Sequence, residues 1–132
     1  MLKYADSMGK VGMDPSVFSA ITAEVAKSFG DRVILSTPKG KPVKDMNPKS
    51  IEKMSFLEVR ENRRHDAVTL EVYLILMFGT SIRWFTREFA RRMYIEVREV
   101  TGFSVDEIAV NITGIRSKKT ARRELRFVCR QR

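Results

Sequence analysis

The sequence predicts one small α+β domain in the order helix–strand–strand–helix–strand, with two helices packed on one face of a mainly antiparallel sheet. Three observations carry this. Apolar residues recur at three- and four-residue steps in two segments, 17–29 and 82–100, which is the period of a helix with one buried side. Apolar residues recur at every second position over 67–78 and 108–112, which is the period of a strand. The length, 132 residues, is that of one domain able to bury a core.

The elements follow in chain order. "MDPSVFSAITAEVAKSFG" reads as the first helix, with Asp14 accepting from free amides as N-cap, Pro15 in the first turn and Gly30 as the stop. Val17, Ile21 and Val25, flanked by Phe18 and Phe29, form its apolar stripe. Residues 31–55 are loop-like, rich in Pro, Gly and Lys. Within them Val33–Leu35 reads as a short strand or the end of a turn, and Asn47-Pro48 starts a helical turn through Lys53. "FLEVREN" and "AVTLEVYLILMF" then flank "RRHD", a polar hairpin connection. On the second strand Val68, Leu70, Val72, Leu74, Leu76 and Phe78 share one face, and Thr69, Glu71, Tyr73, Ile75 and Met77 share the other. The first face belongs under the helices. The second turns apolar toward its end, which makes Tyr73, Ile75 and Met77 the expected self-association surface.

"TSIRWFTREFARRMYIEVREVTG" is the strongest helical segment. Thr80 or Ser81 caps it, Gly102 ends it, and Ile82, Phe85, Phe89, Met93, Val97 and Val100 form the core stripe. "SVDEIAVNITGI" alternates Ile108, Val110 and Ile112 as a strand. The sheet expected from these segments has about three to four strands.

Charge divides the chain into a domain over residues 1–115 and a basic extension over 116–132. The extension, "RSKKTARRELRFVCRQR", holds eight Lys or Arg against one Glu, so it supplies +7 of the formal net charge of +9. Such a balance points to an anionic partner rather than to a fold. Three conformations suit it: a basic amphipathic helix, a strand on the sheet edge with Leu125, Phe127 and Cys129 on one side, or a disordered arm. An ordered extension over Glu124–Cys129 is preferred, because an arm would expose Leu125, Phe127 and Val128 together.

Cys129 is the single cysteine, so no intrachain disulfide is possible and a reducing compartment is expected. The N-terminal stretch lacks a signal-peptide apolar region, and "VYLILMFG" is too short to span a bilayer. Cytoplasmic location, with peripheral contact at the inner face of the membrane, is the expectation.

The run "FGTSIRWFTREFARRMYIEVREVTGFSVDEIAVNITGI" resembles the alkaline-shock and general-stress protein family of Gram-positive bacteria, an envelope stress response domain. The apolar positions Ile82, Phe85, Phe89, Met93 and Val97 lead into a Thr101-Gly102 pair. Val105, Ile108, Val110, Ile112 and Gly114-Ile115 then match the family's closing strand. "GKVGMDPSVFSAI" is similar to its entry. The resemblance covers roughly residues 9–115, with a divergent centre. It implies a small non-enzymatic α+β domain tied to envelope stress, prone to self-association. Some members gather at the cytoplasmic membrane face through a membrane-embedded partner. The family's long helix is usually acidic outside; here that face carries Arg83, Arg87, Arg91, Arg92 and Arg98.

That arginine ridge is the first candidate site. Arg83, Arg87, Arg91 and Arg98, with Tyr94 between them and Trp84 alongside, suit a docking ridge for phosphates or an acidic protein, since Arg and Trp are enriched at hot spots. The plainer reading is a solvated face neutralised by Glu88, Glu96 and Glu99. Arg122, Arg123 and Arg126 of the tail extend the same expectation to anionic lipid. An RNA-binding module is the alternative: the layout overlaps small RNA-binding folds, and Gly9-Lys10-Val11-Gly12 resembles a GXXG loop, although it precedes the first helix instead of joining two. No stacking platform of alternating aromatic and basic residues is present.

Chemistry is not expected. His65, in the hairpin turn, has no second His or Cys near it, and a turn gives Glu58, Glu61 and Asp66 no cleft. "STPKGKP" lacks P-loop spacing. The expectation is therefore no enzyme, no cofactor, no metal and no small-molecule substrate; the expected partners are further copies of the chain and an acidic or membrane-associated surface.

Overall fold

A computed structural model describes residues 3–5, 11–13, 15–43, 56–64, 66–117 and 120–130. The predicted Asp14 cap, the Gly9-Lys10 half of the glycine loop, the Asn47–Lys53 turn and His65 fall outside these residues. In chain order the elements are β1 (Lys3–Ala5), β2 (Val11–Met13), α1 (Pro15–Lys27), β3 (Val33–Leu35), β4 (Leu57–Glu61), β5 (Ala67–Met77), α2 (Ile82–Thr101), β6 (Ser104–Arg116) and β7 (Thr120–Arg130). A single 3-10 turn, Gly30–Arg32, joins α1 to β3.

Among the described residues the main sheet has five strands, more than the three to four expected, because both the short β3 and the basic tail join it. β4 and β3 lie in succession along one flank of β5, both antiparallel to it. β6 lies on the other flank, parallel to β5. α2 makes the crossover that a parallel pair needs. β7 closes the order, antiparallel to β6, and forms the sheet edge. β1 and β2 make a separate two-stranded pair.

Local chemistry sets the boundaries. Ser81 Oγ accepts from the Trp84 amide at 3.2 Å and starts α2. Gly102, at φ +80°, ends it with its N–H donating to the Arg98 carbonyl at 2.9 Å. That left-handed conformation favours glycine. The β4–β5 connection is organised by Asn62, whose side-chain oxygen accepts from the amides of Asp66 and Ala67 at 3.1 and 3.3 Å.

One face of the sheet carries the core. Val68, Leu70, Val72, Leu74 and Leu76 of β5 and Ile108, Val110 and Ile112 of β6 are fully buried, in one cluster with Phe85, Phe89, Met93 and Val97 of α2 and Val17, Phe18, Ile21 and Val25 of α1. The two helices meet through aromatic rings: Phe29 lies 4.9 Å from Phe85 and 6.1 Å from Phe89, and the Arg92 guanidinium sits 4.2 Å above it.

Three expectations are corrected here. Phe78 leaves the core face: β5 ends at Met77, the chain turns, and Phe78 is 66% exposed. Ile75 is 1% exposed within one chain and so presents no surface for self-association; Tyr73 and Met77 beside it are half-buried. Its cover comes from the same chain. β3 sets Ile34 opposite Ile75, and the loop after β3 folds back over β6, with Ser36 Oγ 2.6 Å from Thr113 Oγ1 and Gly40 seated against Thr113. Third, Arg92 does not stand on the outer ridge. Its ring contact with Phe29 and a hydrogen bond to Ser28 Oγ at 2.7 Å hold it across the α1–α2 seam.

Candidate functional site

α2 and the edge strand β7 frame a groove of about 500 Å³. Its rim carries Arg83, Arg87 and Arg91 from the helix and Arg130 from the strand, and Ala90, Phe127 and Cys129 line it between them. Helical periodicity explains the first set, since residues 83, 87 and 91 step by one turn and lie beside the buried stripe rather than opposite it. Strand periodicity explains the second. Leu125, Phe127 and Cys129 pack against the core, while Glu124, Arg126, Val128 and Arg130 stay exposed.

The cations differ in how far they are neutralised. Arg91 grips both carboxylate oxygens of Glu88, Nε at 3.0 Å and Nη2 at 2.9 Å, and Arg92 stands 3.7 Å from the same carboxylate. The hydrogen bond from Arg91, followed by the two positive charges, holds Glu88 below the usual carboxylate range. Arg130 pairs with Glu107 at 2.8 Å. Arg83 and Arg87 are exposed and make no ion pair among the described residues.

Tyr94 closes one end. Its hydroxyl donates to the Cys129 carbonyl at 2.8 Å and ties the helix to the edge strand. Burial, then the nearby Cys129 and Glu107, pushes the Tyr94 phenol up to about 12. Burial also raises the Cys129 thiol, whose sulfur lies 4.0 Å from the Thr86 carbonyl.

Of the residues predicted for docking, Arg83, Arg87, Arg91 and Tyr94 come together here, with the Tyr94 hydroxyl already engaged. The others are placed elsewhere. Trp84 turns toward α1: its ring meets the edge of Phe29 at 5.9 Å and lies under the Arg32 guanidinium at 5.2 Å. Arg98 reaches Ser104 Oγ at 3.3 Å. Arg126 lies on the opposite face of the sheet, where Glu71 receives its Nε at 3.3 Å, Asn111 Nδ2 at 3.1 Å and, at 3.9 Å, Arg60. Arg123 lines a hollow with Tyr73 and Pro38, away from the groove. Arg122 is placed by backbone register alone, opposite Gly114. The ridge therefore does not continue into the predicted tail arginines Arg123 and Arg126. Sequence reasoning missed Phe127, Cys129 and Arg130 as the facing wall. The alternation through Leu125, Phe127 and Cys129 is the signal that finds them once the tail is read as a strand.

In comparison with known families, residues 3–117 match the family model described as the alkaline shock protein 23 family, cell envelope-related function. No curated protein and no solved structure matches the chain. The matched span ends before β7, so the second wall of the groove lies beyond it.

Proposed function

This chain belongs to the alkaline-shock family with its cell envelope-related function, and from that premise we propose that it is a non-enzymatic scaffold working by contact. It docks an anionic partner of the inner envelope through the α2–β7 groove, as a cytoplasmic protein held peripherally at the membrane. The observation that carries this reading is the pair Arg83 and Arg87: exposed, unpaired among the described residues, one helical turn apart, and set above apolar lining. An unneutralised guanidinium beside apolar surface is suited to an acidic group and contributes little to the fold, since exposed charges contribute little to stability. Among the described residues no helix is long and apolar enough to cross a membrane, so envelope contact in this reading is made from the surface.

Self-association is the second part of the proposal. It moves from Ile75 to Tyr73, Met77 and the exposed Phe78 at the end of β5. A strictly monomeric sedimentation profile over a wide concentration range would remove that part alone.

The test of docking is Arg83→Glu combined with Arg87→Glu. Capture of the envelope fraction should be lost while the melting temperature stays within the change usual for exposed sites, about 0.5 kcal/mol in stability. Undiminished capture sinks the reading. Tight binding to single-stranded RNA with the steep salt dependence of phosphate contacts would favour the nucleic-acid alternative instead.

A further inference from the structure

We infer that the α2–β7 groove takes an extended acidic segment of a partner protein, added as a further strand along the free edge of β7. This deepens the docking reading and rests on it.

The first support is the edge itself. β7 spans Thr120–Arg130 and pairs with β6 alone among the described residues. Apart from the Cys129 carbonyl, which the Tyr94 hydroxyl occupies, alternate N–H and C=O groups along its other side are therefore open to an incoming chain. α2 stands over that edge on one side, fixed there by the Tyr94–Cys129 hydrogen bond. A strand laid along β7 at Phe127–Arg130 borders the groove that Arg83 and Arg87 also line.

The second is spacing. Arg83 and Arg87 are four residues apart, so about 6 Å along the helix axis at ~1.5 Å per residue. Alternate side chains on one face of a strand repeat at about 6.6–6.8 Å. Where an added strand follows the helix, carboxylates at its positions i and i+2 match the two guanidiniums in step; Arg91, one turn further on, is already held by Glu88. The intervening residues point to the other face of the sheet, where Arg126 is already held by Glu71; Arg130, at the rim, is paired with Glu107. The rim selects acid at every second position and the opposite face makes no such demand.

The third is what the site excludes. A lipid headgroup supplies charge but no main-chain donors and acceptors for the β7 edge. A second copy of β7 brings Arg122, Arg123, Arg126 and Arg130 against Glu124 alone, which sets like charge against like.

The probe is a labelled peptide in which glutamate alternates with valine. It is compared by fluorescence anisotropy with an isomer that clusters the same glutamates, with a copy N-methylated on alternate amides, and with phosphatidylglycerol vesicles. The alternating peptide should bind at least about tenfold more tightly than the clustered isomer. It should lose at least about tenfold on N-methylation in the edge-facing phase, and as much in the Arg83→Glu, Arg87→Glu variant. Equal affinity for the two isomers, or indifference to N-methylation in both phases, overturns strand addition but leaves docking through charge standing. Capture of vesicles without the peptide overturns this inference and leaves the docking reading intact. Envelope capture that survives the double charge reversal overturns both.

Discussion

Removing one oxygen from Tyr94 tests whether α2 and β7 are joined as described. In Tyr94→Phe the ring stays and the bond to the Cys129 carbonyl, 2.8 Å long, is lost. The freed carbonyl lies on an edge strand with access to water, so the cost is the net value of one hydrogen bond, about 0.5–1.5 kcal/mol. Unfolding entropy near 2.1 cal/mol/K per residue gives roughly 0.28 kcal/mol/K for a chain of this length, so the melting temperature should fall by about 2–5 °C. Burial of that hydroxyl, with Cys129 and Glu107 nearby, also leaves a signature in pH. The Tyr94 proton is held more tightly in the fold, up to about 12, than in the unfolded chain, where a tyrosine titrates near ~10. This contribution is therefore fully present below about pH 10 and is lost as pH rises through about 12. Across that window the wild-type chain should lose stability relative to Tyr94→Phe, and the gap between their urea midpoints should shrink. Paired urea titrations at neutral pH and through the window measure both effects. An unchanged melting temperature refutes the latch, and a gap independent of pH means that the hydroxyl is not buried between α2 and β7; a fall beyond about 10 °C means the ring's packing, not its hydroxyl, is what holds β7.

Two further outcomes follow from the same packing. Phe29→Ala removes the ring shared by Phe85, Phe89, Trp84 and the Arg92 guanidinium, and should cost about 3–5 kcal/mol by chemical denaturation. A loss under about 1 kcal/mol would show that α1 is not anchored there. Cys129, half-buried with its thiol raised by burial, should react with a maleimide or an aromatic disulfide more than about tenfold slower than free cysteine at mildly alkaline pH. Reaction at the free-thiol rate would mean that β7 is not seated under α2.

Most of the helical framework was legible in the residues. The stripe Phe85, Phe89, Met93 and Val97 is buried as its spacing requires, Ser81 and Gly102 bound α2, and Asn62 sits at the turn between the two strands that alternation predicts. The candidate site was legible by half. One helical turn separates Arg83 from Arg87 wherever the helix lies, so the ridge needs no tertiary information, whereas the wall that faces it does.

Local pattern fixes which residues share a side of one element, because the 3.6- and two-residue periods are properties of the backbone. On that ground the residues alone set the α2 core stripe, its caps, the hairpin and the shared side of Arg83 and Arg87. It takes the structure to show that Glu88 pairs with Arg91 and leaves those two unneutralised among the described residues. Which neighbour a side chain meets depends on elements far away in the chain. That is why the pairing of the basic tail with β6, the turn of Trp84 and Arg92 to Phe29, and the burial of Ile75 beside Ile34 of β3 appear only in the tertiary structure. Composition favours an ordered extension over Glu124–Cys129 but leaves helix and strand open; the strand prevails where Leu125, Phe127 and Cys129 reach apolar cover beneath α2 while the arginines between them stay in water.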